Sequence, residues 1–234
     1  RPMSEGEVLG SDEAKHELGK WLRDWADARA ESRKRKGHLK RMKTKRRRYD
    51  SDSDDDYDGD ENALDNVAAV TGVCGCGKTA IVYALARQTG YNVIEIGANQ
   101  SRSGAEINKV CEEASRSQGL QDSQQRLNLI LFDDADLEFA EDAGMVLAMQ
   151  KLIKTTRTPI IVTAESLDGH LSFLERIGAR EIALERPSVQ QVGQLASSIL
   201  RRSLTSGDDD SDGLTKARAM GHALAQLYRG DTRK

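Results

Sequence analysis

The stretch Val67-Ala68-Ala69-Val70-Thr71-Gly72-Val73-Cys74-Gly75-Cys76-Gly77-Lys78-Thr79 decides how this chain is read. A short apolar strand over residues 67–71 runs into a glycine-rich bend, and a helical pattern starts at Lys78. Residues 72–79 satisfy G-x-x-x-x-G-K-[ST], the phosphate-loop pattern. Its glycines permit backbone torsions that other residues resist, so consecutive N–H groups can turn inward around phosphate oxygens. The helix that follows aims the positive end of its dipole at the same anion. Gly72, Val73, Cys74, Gly75, Cys76, Gly77, Lys78 and Thr79 are therefore the nucleotide-binding candidates. In this role Lys78 reaches the β- and γ-phosphates, and the Thr79 hydroxyl ligates Mg²⁺. The bland alternative is a glycine-rich turn with an incidental lysine. The strand–loop–helix context favours the functional reading.

Leu129-Ile130-Leu131-Phe132-Asp133-Asp134 supplies the second element, an apolar strand ending in two acids. Asp133 is the candidate for holding the magnesium ion through water, and Asp134 for orienting the attacking water.

Outward from these two stretches the pattern alternates. Strands are expected at residues 67–71, 92–96, 128–132, 159–163 and 181–184, and helices at 78–88, 104–117 and near 142–154. The run at 128–132 is continuously apolar after Asn128, as expected of a strand buried on both faces. Strands alternating with helices at this spacing imply an α/β fold, a parallel sheet flanked by helices. After Arg186-Pro187 only helical patterns remain. Ser188 can cap a helix whose apolar face is Val192, Leu195, Ala196, Ile199 and Leu200, and a further helix is expected at 214–228. The domain reading is thus a leader helix in residues 1–30, a charged insertion in 31–65, a nucleotide-binding domain in 66–186 and a truncated helical lid in 187–234. Because the chain begins at Arg1 rather than a methionine, it reads as an excerpt from a longer protein.

Ahead of the core, residues 11–29 read as an amphipathic helix capped by Ser11 or Asp12. Leu18, Trp21, Leu22 and Trp25 recur on one face. That stripe is expected to dock on its own domain. The formal net charge of −3 conceals a polarised segment: residues 33–48 are dominated by Lys and Arg, residues 50–61 by Asp and Glu. Such runs bury too little apolar surface to offset chain entropy, so the segment is expected to be unfolded. The basic run reads as a nuclear import signal, a DNA contact or a solvated tether. No aromatic residue interleaves with it before Tyr49, so stacking on bases is not indicated. Ser51 and Ser53, among aspartates, suit an acidophilic kinase.

No apolar stretch approaches the roughly 20 residues that span a bilayer, so no membrane partner is expected. Cys74, Cys76 and Cys111 are too few, and wrongly spaced, for a disulfide framework or a zinc site. They point to a reducing, intracellular compartment.

The order of these elements resembles AAA+ ATPases, and more narrowly the large subunit of a clamp loader of the replication factor C type. Several stretches carry the likeness: Glu7-Val8-Leu9-Gly10 with the Trp21/Trp25 helix, residues 91–104 (YNVIEIGANQSRSG), Asp133-Asp134-Ala135-Asp136 and Gly230-Asp231-Thr232-Arg233. Within that group it looks most like the Elg-type alternative clamp loader, an ATPase-family AAA-domain protein. The resemblance implies ATP and Mg²⁺ as ligands, a nuclear location and assembly with four small replication factor C subunits. It further implies action on the sliding clamp, proliferating cell nuclear antigen (PCNA), at DNA in replication and repair. It makes Arg233 the candidate sensor-2 arginine, and places clamp contacts near residues 142–154.

Departures from the family pattern are equally specific. Asp134 stands where the family has Glu, with a reach about 1.5 Å shorter. A catalytic group misplaced by about 1 Å can cost on the order of a hundredfold in rate. The polar sensor-1 position falls on Glu165, with Thr163 as the nearest alternative. The finger-donating Ser-Arg-Cys segment is missing, so Arg176 and Arg180 read as surface charges. Two alternatives to a clamp-loading ATPase therefore stand: a nucleotide-bound scaffold that hydrolyses little, and an unrelated AAA+ remodeller.

Overall fold

The computed structural model describes residues 11–46, 66–97, 103–117, 127–137, 144–156 and 158–204, together with residue 223. Its centre is a five-stranded sheet, every pair parallel, in the order β2-β3-β4-β1-β5. The strands are β1 (Val67–Thr71), β2 (Tyr91–Ile96), β3 (Leu127–Phe132), β4 (Ile160–Ala164) and β5 (Arg180–Ala183). β1 and β4 are buried along their whole length, as continuous apolar runs in a parallel sheet must be.

Because side chains alternate along a strand, the sheet separates two cores. On one face Ala68, Val70, Leu129, Leu131, Ile161 and Ile182 pack under α1 (Asp12–Arg46) and α2 (Lys78–Gln88). On the other, Val67, Ala69, Ile130, Phe132, Ile160 and Val162 pack under α3 (Gly104–Ser117), α4 (Met145–Thr155) and α5 (Ser172–Arg176). The α/β expectation holds, with helices on both faces.

The sequence-derived limits shift by a residue or so at four strands. β4 starts at Ile160 rather than residue 159, because Pro159 has no N–H to give a ladder; its carbonyl instead accepts the Ile130 N–H at 3.0 Å. The 3-10 turn Gly169–Leu171 and α5 were not expected. Together they are too short to display a helical period.

The leader helix does dock. Ser11 caps it, its Oγ accepting the Ala14 N–H at 3.5 Å. Leu18 and Leu22 are fully buried, Trp21 nearly so, and Trp21 meets Trp25 edge-on with ring centroids 6.4 Å apart. The Tyr91 hydroxyl donates to the Leu22 carbonyl at 3.1 Å. Burial pushes that phenol up from 10.0 to about 12, with Arg29 opposing the shift. Contrary to the expectation of an unfolded segment from residue 31, α1 continues to Arg46. Helical hydrogen bonds are local, and this stretch is rich in Lys and Arg with no Pro; charge runs in the sequence do not by themselves exclude helix. Residues 47–65 lie outside the described residues.

Behind the sheet, α6 (Val189–Leu204) opens with a reciprocal cap. The Gln191 N–H donates to Ser188 Oγ at 3.2 Å, and the Ser188 N–H to Gln191 Oε1 at 2.8 Å. The helix expected at 214–228 and the segment bearing Arg233 fall outside the described residues.

Candidate functional site

β1 ends at Thr71 and α2 begins at Lys78, so the loop between them sits at the carboxyl edge of the sheet, where open α/β folds bind ligands. Gly72, Gly75 and Gly77 all take positive φ, at 148°, 80° and 103°. At Gly72 a side chain is excluded by packing as well, since a Cβ there would lie 2.5 Å from the Leu184 carbonyl oxygen. Cys76 is buried against this bend while Cys74 is exposed, and neither forms a disulfide. Lys78 is almost wholly buried, and its ammonium donates to the carbonyls of Gly72 at 2.7 Å and Val73 at 3.4 Å. The amine is thus stationed inside the bend, satisfied by oxygens that a phosphate would replace.

The acidic pair converges on the same place. The sheet order puts β4 between β1 and β3, so the end of β4 bridges the loop and the acids. Asp133 Oδ1 accepts two hydroxyls, Thr79 at 2.8 Å and Thr163 at 2.7 Å. Thr163, fully buried, also accepts the Asp134 N–H at 2.9 Å, and its carbonyl accepts the Ala135 N–H at 2.8 Å. Asp134 adopts a left-handed conformation, φ 49°. His170 Nε2 lies 2.8 Å from the Ala135 carbonyl, closing the far side of the turn.

The oxygen pair Thr79 Oγ1 and Asp133 Oδ1 fits Mg²⁺ by its chemistry. A hard cation takes one or two such ligands and fills the rest of its shell with water and phosphate oxygens. Among the described residues no three His, Cys, Asp or Glu gather into a metal site of their own. An ion here would accordingly need the nucleotide as co-ligand.

Of the two sensor-1 alternatives, Thr163 touches the acidic pair. Glu165 is exposed, its N–H donating to Asp136 Oδ2 at 3.1 Å. Arg180 is an exposed surface charge, as expected, and its Nε donates to Glu17 of the leader helix at 2.8 Å. Arg176 instead lines a cavity of about 390 Å³ with Asn66, Ile153 and Phe173 at the opposite, amino edge of β1. One contact at the site had no sequence signal: Thr71 Oγ1 donates to Glu181 Oε1 at 2.8 Å, fastening the strand that feeds the loop to β5. The two residues are 110 apart, and nothing local marks them as partners.

Residues 68–185 match the family model described as "ATPase family associated with various cellular activities (AAA)". The replication factor C large subunit of Halobacterium salinarum is 26% identical over 212 residues, 90% of this chain and 37% of that protein. The Pyrobaculum arsenaticum large subunit is 30% identical over 209 residues, 88% of this chain and 43% of that protein. ATPase family AAA domain-containing protein 5 of Mus musculus is 36% identical over 122 residues, 50% of this chain and 7% of that protein. The chain thus spans less than half the length of these relatives. Among solved structures, Caenorhabditis elegans PCH-2 matches with a TM-score of 0.59 at 16% identity, over 97% of this chain and 61% of that one, a likeness of fold. The chain belongs to the AAA ATPase family and is distantly homologous to replication factor C large subunits and to ATPase family AAA domain-containing protein 5.

Proposed function

We propose that this chain is the ATP-binding subunit of an alternative, replication factor C-like assembly that loads or unloads PCNA at DNA in the nucleus. The observation that carries the nucleotide half is the meeting of Thr79, Asp133 and Thr163 beside the Lys78 loop. The loop amides and Lys78 bind the triphosphate, and Thr79 with Asp133 holds Mg²⁺. When bound, the ion neutralises charge on the transferring phosphoryl group. Thr163 fixes Asp133 and the Asp134 backbone, and Asp134 orients the attacking water. Arg233, from the lid segment, is the sensor-2 candidate.

Support for the clamp-loading half comes from homology to large subunits along most of the chain. The assembly would join four small replication factor C subunits. On α4, Leu147 is the most exposed large apolar residue among those described, at 72%, and marks the surface offered to the clamp.

The test is reconstitution. Co-expressed with the four small subunits, the protein is expected to co-purify as a pentamer that changes PCNA occupancy on nicked circular DNA only with ATP. The same pentamer carrying Lys78→Ala is expected to assemble, to bind no nucleotide and to leave PCNA where it is. Failure to capture the small subunits would defeat the assembly reading. ATP binding that survives Lys78→Ala would defeat the site.

A second reading, a nucleotide-bound scaffold with little hydrolysis, is favoured by one observation. The position that carries the water-orienting acid is the shorter Asp134, held in the left-handed region.

A further inference from the structure

The cavity of about 390 Å³ at the amino edge of β1 lies a full strand away from the phosphate loop, and the nucleotide site makes no use of it. Packed interiors leave few voids larger than a water molecule. A space of this size is a pocket, and it falls within the roughly 300–1,000 Å³ span of small-molecule sites.

Main-chain bonds fix its walls. Asn66 Nδ2 donates to the carbonyl of Ile153 at 2.5 Å and to that of Thr156 at 3.4 Å, tying the start of β1 to the last turn of α4. Another wall is the end of α5, which closes in a left-handed glycine cap. Gly178 takes φ 74°; its N–H donates to the Glu175 carbonyl at 3.0 Å, and the Ala179 N–H to the Leu174 carbonyl at 2.9 Å. The pocket is therefore formed before any ligand arrives.

Its lining sorts by polarity. Val67 and Phe173 are buried, Ile153 and Ala179 are half-buried, and Ile177 is 46% exposed, which makes an apolar floor. The charged members are Lys154 and Arg176, both exposed, and no Asp or Glu belongs to the lining. Among the described residues neither cation is held in an ion pair. Gln150 precedes Lys154 by four residues on α4, so it shares that helix face and adds an amide donor.

This combination selects a ligand. Inorganic phosphate, or a nucleic-acid backbone, would pair with the cations and leave the floor wet. A neutral hydrocarbon would cover the floor and make nothing of the cations. A carboxylate carried on a ring or a branched chain uses both, since the guanidinium fork matches its two oxygens and the body removes apolar surface from water. We infer that this cavity binds a small organic acid, one carboxylate on an aromatic or branched aliphatic body. Arg176 and Lys154 take the carboxylate, and Val67, Phe173 and Ile177 face the body.

The inference does not rest on the nucleotide site, and its test contains no ATP. The full chain is titrated with phenylbutyrate, followed by calorimetry and by saturation-transfer NMR. A dissociation constant of about 1 mM or tighter is expected, with the neutral phenylbutyramide and inorganic phosphate each at least about tenfold weaker. Combining Arg176→Gln with Lys154→Gln, both at exposed positions, is expected to preserve the melting temperature and to weaken phenylbutyrate about tenfold. Ala179→Leu is expected to abolish binding by filling the floor, and Lys78→Ala to leave it unchanged. Failure of the parent chain to saturate, equal affinity for acid and amide, or an undiminished double variant would overturn the site. So would loss of binding in Lys78→Ala, which would put the acid at the phosphate loop. A dimeric chain that Ile177→Asp renders monomeric would make the cavity a contact between two copies, and would overturn the ligand equally.

Discussion

Thr163 Oγ1 lies 2.7 Å from Asp133 Oδ1, the same carboxylate oxygen that takes the Thr79 hydroxyl at 2.8 Å. Thr163 also accepts the Asp134 N–H at 2.9 Å, so one buried hydroxyl fixes both acids. Thr163→Val keeps the volume and removes both bonds. Leaving a buried polar group unsatisfied costs about 1–3 kcal/mol, so urea unfolding is expected to report a loss of that size. Magnesium-dependent nucleotide affinity is expected to fall with it, while Thr163→Ser retains both. A Val variant as stable and as tight as the parent would show that this hydroxyl positions nothing.

Asp134 sits at φ 49°, a region Asp and Asn tolerate better than most residues. Asp134→Asn therefore removes charge without disturbing backbone. If Asp134 acts on the attacking water, turnover of the assembled complex is expected to fall on the order of a hundredfold or more while ATP affinity stays level. Unchanged turnover with binding intact would favour the scaffold reading.

Gly72 and Gly90 separate packing from torsion. Both have positive φ, yet a Cβ on Gly90 meets nothing within 4 Å, whereas one on Gly72 meets the Leu184 carbonyl oxygen at 2.5 Å. That oxygen cannot retreat freely, because the Leu184 N–H is bonded to Thr71 at 2.7 Å. Gly90→Ala is expected to cost about 1–2 kcal/mol for the left-handed conformation alone. Gly72→Ala is expected to cost more and to abolish nucleotide binding. Comparable thermal shifts in the two variants would refute the close approach.

Tyr91 couples the leader helix to pH. Burial raises its phenol from 10.0 to about 12, so the folded state holds this proton more tightly than the unfolded chain. That contribution to stability is complete below pH 10 and is lost as pH rises from 10 towards 12. Tyr91→Phe loses the bond to Leu22, a cost of about 1 kcal/mol at neutral pH. Its stability is expected to decline less steeply than the parent's between pH 10 and 11.5. Parallel declines, followed by chemical denaturation, would argue that this phenol is not shielded by α1.

Much of the site was legible in the order of residues because it is contiguous. The loop's glycines, Lys78 and Thr79 lie within eight positions, and the strand on either side announces itself by apolar run and length. The helix limits at Lys78–Gln88 and Gly104–Ser117 were legible for the same reason. Local periodicity also placed the leader stripe on the core. It failed in residues 31–46, where the helix continues past the apolar stripe, since i to i−4 hydrogen bonds are local and need no such stripe.

The sequence by itself determined that this is an α/β phosphate-loop protein with an acidic strand end, because backbone torsion and side-chain period are properties of neighbouring residues. Only the tertiary structure decided which polar residue stands between the acids and the loop. Thr163 rather than Glu165 occupies that place because β4 lies between β1 and β3 in a register that pairs Phe132 with Val162, bringing Asp133 level with Thr163. Strand order and register join segments far apart in the chain and are therefore invisible in any short window of residues.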